Sequence, residues 1–369
     1  MVGDRKRIVA MAPYERPWSN VELVKDCGLI PYLLYKNHNC DVSMVGAKGE
    51  TYPYLEAYLH GMKMELLPDG KTESKLAYIS EHARETDALL LRGCYPNNFP
   101  IAYRYKECNP DGKIYVGLDA NSSWMDRINF RDAAFAQFMD CCDVLATSCY
   151  AMQEMLNRKW PWRIEHIPNG YYPFDRGIDQ PDYEKKENII LTVSRLGTQQ
   201  KNTELLLEAF ALAADKIPGW NLRLVGNIEK SFYPYRDLFL EKHPGLADRV
   251  CFVGPLLDRE ALFGEYRKAK VFALSSVMEG GTPNVISEAL ISGCVPVTTK
   301  VDAYEEITDR ETLGFSSEIG DVQSFAENLI KVCHCENLQQ LSEKAYEYGR
   351  NHFDMECITE KVYELLFEV

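Results

Sequence analysis

The chain has 369 residues and a formal net charge of −14, with 46% hydrophobic and 26% charged residues. This length is typical of two domains, and the composition is that of a protein with a large buried core. The acidic balance disfavours nucleic acid as a partner, because phosphate backbones are bound through clustered Lys and Arg. No apolar run reaches the roughly 20 residues of a membrane-spanning helix. We therefore expect a cytoplasmic globular protein.

The negative charge is unevenly distributed. Residues 1–175 carry 20 Lys and Arg against 23 Asp and Glu, whereas residues 176–369 carry 21 against 32. In the nearly neutral first half, short basic clusters such as Arg5-Lys6-Arg7 leave open a peripheral contact with the inner face of a membrane. Simple solvation of these clusters is the alternative.

Short apolar runs alternate with segments of helical periodicity in residues 1–172. The predicted strands are 8–11, 41–45, 88–91, 113–118, 143–147 and 163–167. A loop at 26–31 precedes a helical stretch, and further helices are predicted at 72–85, 131–141 and 150–160. This alternation predicts a parallel sheet with helices on both faces, which is a Rossmann-like, doubly wound α/β domain.

Polar residues follow two of these strands. Asp119 and Asn121 come after the strand 113–118, and Asn169 comes after the strand 163–167. Ligands of parallel α/β sheets bind at the carboxyl ends of the strands. Asp119 is therefore a candidate to act on a substrate, although it could instead cap the next helix. Asn169-Gly170 is primarily a turn signal.

Residues 173–188 mix Pro, Gly and charged side chains and predict an interdomain linker. A second run of alternating elements spans 189–354, and an amphipathic segment at 355–369 could return to the first domain. The predicted strands are 189–193, 221–225, 250–253, 271–274 and 295–298, and the helices are 203–214, 284–291, 322–333 and 338–352. There is no Gly-x-Gly in the chain, which disfavours an NAD enzyme.

A glycine-containing loop joins the predicted strand 271–274 to the helix 284–291. A helix N-terminus after such a loop presents free N–H groups and binds anions. Glu279 and Glu288 flank the loop, and carboxylates accept hydrogen bonds from sugar hydroxyls. The pattern indicates a ligand that carries both phosphate and sugar, although a similar turn occurs in α/β proteins that bind no ligand.

Two cations, Arg195 and Lys201, lie between the strand 189–193 and the helix 203–214. Arg binds phosphate in bidentate fashion and Lys acts as a point charge, so this helix start is a second candidate site for a polyanion. The alternative is a pair of unrelated surface cations.

Several motifs together resemble the family-4 (GT4) retaining glycosyltransferases over residues 188–300. They are Ser194-Arg195-Leu196, Lys201-Asn202, Leu224-Val225-Gly226, Glu279-Gly280 through Glu288-Ala289-Leu290, and Gly293-Cys294-Val295-Pro296-Val297. The resemblance implies the GT-B fold, in which two Rossmann-like domains face each other across a cleft. It also implies that the C-terminal domain binds a nucleotide sugar and that the N-terminal domain binds the acceptor.

The resemblance implies roles for individual residues. Arg195 and Lys201 would hold the donor diphosphate and support catalysis, and Glu288 would accept from the ribose hydroxyls. The transferred sugar and its phosphate would meet Glu279 and the segment Gly280, Gly281, Thr282, Pro283, Asn284 and Val285. Gly254 and Pro255 would contact the base. The acceptor cleft would include Gly28, Asp119, Asn121 and Asn169, with Asp119 as a catalytic residue in the place where many relatives have His.

One departure from the family pattern concerns the two glutamates. Eight residues separate Glu279 from Glu288, whereas the family usually has seven. The chain also has no Asp-x-Asp pair, which favours a metal-independent mechanism. We expect no cofactor besides the nucleotide-sugar co-substrate.

The sequence thus predicts a retaining, metal-independent glycosyltransferase. A UDP-sugar is the favoured donor, and the acceptor is a glycan, a lipid-linked sugar or a small molecule. A sugar-nucleotide epimerase of the same fold and a non-catalytic partner subunit are the alternatives.

Overall fold

The computed structural model describes residues 5–174 and 180–368. The chain divides into two compact units, Met1–Phe174 with Asp354–Val369, and Asp175–Phe353. Of the segment predicted as a linker, residues 175–179 lie outside the described residues, and a strand already begins at Glu187.

The first unit is built on a seven-stranded parallel sheet. Its strands are β1 (Arg7–Met11), β2 (Asp41–Ala47), β3 (Lys63–Leu67), β4 (Ala88–Arg92), β5 (Lys113–Gly117), β6 (Val144–Thr147) and β7 (Ile164–His166). Its helices are α1 (Asp26–His38), α2 (Pro53–Ala57), α3 (Thr72–His82), α4 (Phe99–Cys108), α5 (Ser122–Asp126), α6 (Ala133–Cys141) and α7 (Tyr150–Lys159). The strand order is β3-β2-β1-β4-β5-β6-β7. This is a doubly wound, Rossmann-like sheet whose strand order reverses between β1 and β4.

The second unit has a six-stranded parallel sheet of the same kind. Its strands are β8 (Glu187–Val193), β9 (Asn221–Val225), β10 (Val250–Gly254), β11 (Ala269–Leu274), β12 (Val295–Thr299) and β13 (Phe315–Ser317). Its helices are α8 (Thr203–Ala213), α9 (Tyr233–Lys242), α10 (Arg259–Lys268), α11 (Asn284–Ile291), α12 (Tyr304–Ile307), α13 (Val322–Cys333) and α14 (Leu338–His352). The order β10-β9-β8-β11-β12-β13 reverses between β8 and β11.

The strands read as near-continuous apolar runs because helices cover both faces of each sheet. Every residue of β6 and of β12 is buried. In the first unit β1 pairs with both neighbours in register, so that Ile8 lies opposite Val42 on β2 and Ala88 on β4. The last helix, α15 (Met355–Phe367), packs on the first unit, where its apolar stripe joins the core. That stripe consists of Met355, Ile358, Val362 and Leu366.

The prediction of a loop at 26–31 is wrong, since this segment forms the first turns of α1. Gly28 suggested a loop, but its role in the fold is close packing: a Cβ there would lie 2.3 Å from the carbonyl oxygen of Leu23. Pro31 lies inside the helix and removes only one backbone donor. The sequence analysis also missed β3, an edge strand with an irregular burial pattern, and α4, which has a proline in its first turn.

Among the described residues, no helix combines the length and the apolar character that crossing a membrane requires.

Candidate functional site

The loops that follow β8 and β11 flank the point where the strand order of the second unit reverses. Open α/β sheets bind their ligands at this point, outside the carboxyl ends of the strands. The first loop carries Arg195 and Lys201, and the second carries Glu279. The two loops are joined directly, because the Val277 amide donates to the Gln200 carbonyl at 2.8 Å. Topology therefore brings together residues that are almost 80 positions apart in the chain.

Lys201 and Glu279 form an ion pair at this point. The Lys201 ammonium lies 2.5 Å from Glu279 Oε1, and the two side chains are 14% and 7% exposed. Ser276 Oγ donates to the same oxygen at 2.5 Å, and Gln200 Nε2 donates to Oε2 at 3.3 Å. The carboxylate is therefore held by three donors, all of which come from the two loops.

Arg195 extends the cluster toward solvent. Its side chain is exposed, and its Nη2 donates to Gln200 Oε1 at 2.7 Å. Gln200 in turn donates to Glu279, so that one amide side chain connects the arginine with the carboxylate. An exposed guanidinium together with a largely buried ammonium is an arrangement that can bind a diphosphate.

A helix begins at the position where the sequence predicts an anion-binding helix start. Gly281 has a φ of 105°, a left-handed conformation that favours glycine, and α11 begins directly after Pro283. Pro283 has no side-chain hydrogen bond that would cap the helix. The first N–H groups of a helix have no acceptor within the helix, so those of Asn284 and Val285 face the end at which an anion would be stabilised.

Glu288 lies in α11 and contacts two residues of α10. Arg259 Nη2 donates to one carboxylate oxygen at 3.2 Å, and the hydroxyl of Tyr266 donates to the other at 2.9 Å. Tyr266 is fully buried, and this burial, together with the neighbouring Glu288 charge, raises the pKa of its hydroxyl well above the ordinary value. Glu288 is thus part of a buried charged network that the sequence did not reveal.

Glycines allow a close approach of the strand ends at this edge of the sheet. Gly226 has a φ of 135°, and a Cβ at this position would lie 1.9 Å from the Ser194 carbonyl oxygen. Its amide donates to the carbonyl of Gly254 at 2.9 Å. Gly254 has a φ of 83° and open space around it, and Pro255 next to it is exposed. The residues predicted to contact the base therefore lie at the carboxyl end of β10.

In the first unit, a charged cluster occupies the corresponding edge of the sheet. Arg92, the last residue of β4, forms an ion pair with the buried Asp26. It forms a second ion pair with Asp119, in which Arg92 Nε lies 3.4 Å from Asp119 Oδ2. The Tyr14 hydroxyl donates to the same Asp119 oxygen at 3.0 Å, and the Tyr95 hydroxyl donates to the Asp119 carbonyl at 2.7 Å.

The electrostatic consequence is that Asp119 stays ionised. The Arg92 guanidinium lowers the pKa of the Asp119 carboxyl below its ordinary value, and the hydrogen bond from Tyr14 adds to this effect. Burial, followed by the Asp119 charge, raises the pKa of the Tyr14 hydroxyl, which therefore remains a donor.

Asp119 was proposed either to act on a substrate or to cap the next helix, and the capping role belongs to Asn121 instead. Asn121 caps α5, because its side chain accepts from the Trp124 amide at 2.9 Å. The Asp119 carboxylate instead contacts Arg92 and Tyr14. Asn169 lines a pocket at the same edge, together with Asp26 and Arg92. Gly28 lies within α1.

The structure thus brings together Arg195, Lys201 and Glu279 in one cluster, and it places Glu288 in a second network with Arg259. Sequence reasoning missed Gln200, Ser276, Arg259 and Tyr266 in the second unit, and Arg92, Asp26, Tyr14 and Tyr95 in the first. Only Gln200 stood next to a predicted residue in the sequence. Ser276 lies in the same loop as Glu279, three positions before it, and the remaining partners come from segments that are distant in the chain.

Comparison with known proteins gives this geometry a family context. Residues 187–334 match the family "Glycosyl transferases group 1". A segment of 164 residues is 30% identical to EpsD of Bacillus subtilis (strain 168), a proposed glycosyltransferase, and it covers 43% of this chain and 41% of EpsD. The matched part of the chain therefore spans about two fifths of that relative's length.

Solved structures resemble nearly the whole chain. HepE from Anabaena, solved with UDP and glucose, matches with a TM-score of 0.74 and 15% identity over 99% of this chain and 100% of HepE. Sucrose-phosphate synthase from Thermosynechococcus elongatus matches with a TM-score of 0.71 and 17% identity over 99% of both chains. The two Rossmann-like units are those of the GT-B fold, and residues 187–334 of the second unit match the glycosyl transferases group 1 family.

Proposed function

We propose that this protein is a retaining glycosyltransferase that moves a sugar from a UDP-sugar to a hydroxyl group of a glycan, lipid-linked or small-molecule acceptor. The observation that carries the proposal is the cluster of Arg195, Lys201 and Glu279 at the strand-order reversal of a glycosyl transferases group 1 domain. The UDP bound in the HepE structures supports the choice of donor.

The chemistry of the cluster suits this reaction. Negative charge accumulates on the leaving diphosphate when the bond to the sugar breaks, and preorganised positive charge lowers the energy of that transition state. Arg195 and Lys201 supply this charge, and the positive end of the α11 helix dipole adds to it. These groups take the place that a bound metal ion would have in a metal-dependent mechanism.

The first unit is proposed to hold the acceptor. Its carboxylate Asp119, kept ionised by Arg92, is suited to accept a hydrogen bond from a sugar hydroxyl. The Tyr95 hydroxyl donates to the Asp119 carbonyl, and the exposed Trp124 contacts Tyr95 with ring centroids 5.7 Å apart. These aromatic side chains are proposed to pack against a sugar ring.

The proposal is tested by incubating the protein with UDP-, GDP- and ADP-sugars and measuring the release of the nucleoside diphosphate. We expect UDP release from at least one UDP-sugar, accelerated by the right acceptor, and loss of this release in the Lys201→Ala variant. The anomeric configuration of the product, determined by NMR, tests retention. Absence of turnover and of binding for every sugar nucleotide would contradict the proposal.

A further inference from the structure

The protein itself occupies most of the hydrogen-bonding capacity of the Glu279 carboxylate. This carboxylate is buried, and it accepts from Lys201 Nζ and Ser276 Oγ at one oxygen and from Gln200 Nε2 at the other. A carboxylate offers about four acceptor positions, of which three are taken by protein donors. Little capacity is left for the hydroxyls of a sugar.

The partner of this carboxylate is the cation that we assign to the diphosphate. Lys201 is 14% exposed, so its ammonium has little water to stabilise it and depends on Glu279 for charge compensation. A diphosphate is the other anion that could compensate this charge. The protein carboxylate and the donor phosphates therefore compete for one ammonium group.

We propose that Glu279 is a positioning residue that acts through Lys201 as its internal counter-ion, and that it does not bind the transferred sugar. It holds the lysine at the strand-order reversal until a diphosphate arrives and shares the ammonium. This inference rests on the proposed function, because it gives Glu279 a different role within the same site.

The two roles predict opposite patterns of ligand binding. If Glu279 is the counter-ion, its neutral replacement leaves Lys201 uncompensated, and any diphosphate binds more tightly, whether or not it carries a sugar. If Glu279 binds the sugar, the same replacement weakens only ligands that contain the sugar. Inorganic pyrophosphate, UDP and UDP-glucose separate these cases, because they add the nucleoside and the sugar one step at a time.

The experiment measures the Kd of these three probes by calorimetry for the wild type and for Glu279→Gln. We expect the variant to bind pyrophosphate and UDP about three- to tenfold more tightly, which is an order of magnitude consistent with partly buried charge pairs. The ratio of the UDP-glucose and UDP affinities should stay unchanged. Its thermal stability should be lower than that of the wild type without ligand, and pyrophosphate should reduce the difference.

Two controls make the result specific. Glu318→Gln removes the same charge from an exposed pair in the same unit, where Lys300 Nζ lies 2.6 Å from the carboxylate, and it should leave all three affinities unchanged. In the Lys201→Met background, Glu279→Gln should no longer strengthen pyrophosphate binding, because the cation through which it acts is gone.

The outcomes distinguish this inference from the proposed function. An unchanged or weaker pyrophosphate affinity in Glu279→Gln, or no pyrophosphate binding by the wild type, would overturn the inference even if UDP-sugars were turned over. A selective loss of UDP-glucose affinity would assign Glu279 to the sugar. Tighter pyrophosphate binding in Glu279→Gln, with neither binding nor turnover of any sugar nucleotide, would support the role of Glu279 as counter-ion and overturn the glycosyltransferase assignment.

Discussion

The Arg259 guanidinium lies 3.2 Å from the Glu288 carboxylate, and each of the two side chains is only 12% exposed. The carboxylate proposed to bind the ribose therefore also compensates a buried cation. We expect Glu288→Gln to lower the free energy of unfolding by about 3–5 kcal/mol, because it removes the carboxylate charge from a largely buried ion pair. Chemical denaturation, monitored by a spectroscopic signal that reports on unfolding of the second unit, measures this change in free energy.

Helix α10, which carries Arg259, also offers a matched control for that prediction. Glu260 pairs with Arg267 at the surface of α10, where both side chains are about half exposed. Glu260→Gln should change the free energy of unfolding by less than about 1 kcal/mol. Equal effects of the two substitutions would contradict the assignment of a buried network to Glu288.

Lys201→Ala should lower the turnover of a UDP-sugar by about 10²- to 10³-fold, since the loss of one preorganised group at a developing charge is worth roughly 2.7–4 kcal/mol. The effect should fall mainly on kcat, because the charge grows in the transition state. Steady-state kinetics with the preferred donor measure it. Lys300→Ala removes an exposed lysine from the same unit and should have no effect; unaltered turnover in Lys201→Ala would refute the catalytic role.

Gly226→Ala should destabilise the second unit more than Gly219→Ala. Both glycines have a positive φ, 135° and 147°, but a Cβ at 226 would lie 1.9 Å from the Ser194 carbonyl oxygen, whereas a Cβ at 219 meets nothing within 4 Å. Backbone strain costs about 1–3 kcal/mol in both variants, and the clash adds about 1–3 kcal/mol at 226 alone. The difference in free energy of unfolding between the two variants is the quantity to measure.

Lys75 makes a pH-dependent contribution to the stability of the first unit. It is fully buried and donates to the carbonyls of Ala12 and Tyr14, and burial lowers its pKa from 10.5 to about 8. Between these values the unfolded chain binds more protons than the folded one, so the contribution of Lys75 to the free energy of unfolding rises with pH. The stability of the wild type relative to Lys75→Met should therefore increase from pH 8 to pH 10.5. A flat or falling difference would contradict this sign.

Arg92→Met should raise the pKa of Asp119, because Arg92 is the main cause of its lowered value. If turnover requires the ionised carboxylate, the acid limb of the pH–rate profile moves to higher pH in this variant. Arg104→Met, which removes a half-exposed guanidinium paired with Glu107, should leave the profile unchanged. An acid limb at the same pH in Arg92→Met would show that Asp119 does not control turnover.

Much of the fold could be predicted because its signals are local. Apolar runs such as 271–274 and 295–298 predicted buried parallel strands, and the amphipathic periodicity predicted α11, α13 and α14 with their observed bounds. The errors came where local signals conflict with packing. Gly28 and Pro31 favoured a loop at a place where a helix packs closely on the backbone of Leu23.

The sequence also pointed to Arg195, Lys201 and Glu279 as candidates, because they follow predicted strands at whose ends a Rossmann-like sheet binds ligands. Their role in binding a donor stays a prediction. The residues with which they form ion pairs could not be predicted from the sequence. The pairings of Lys201 with Glu279, of Arg259 with Glu288 and of Arg92 with Asp119 join residues 78, 29 and 27 positions apart.

The sequence by itself therefore determined the class of fold and the kinds of side chain available, since strand and helix periodicity and helix-start chemistry depend on near neighbours in the chain. Only the tertiary structure decided which charges meet. An ion pair depends on the distance between two groups and on their burial, and both are set by the order in which the strands assemble in the sheet.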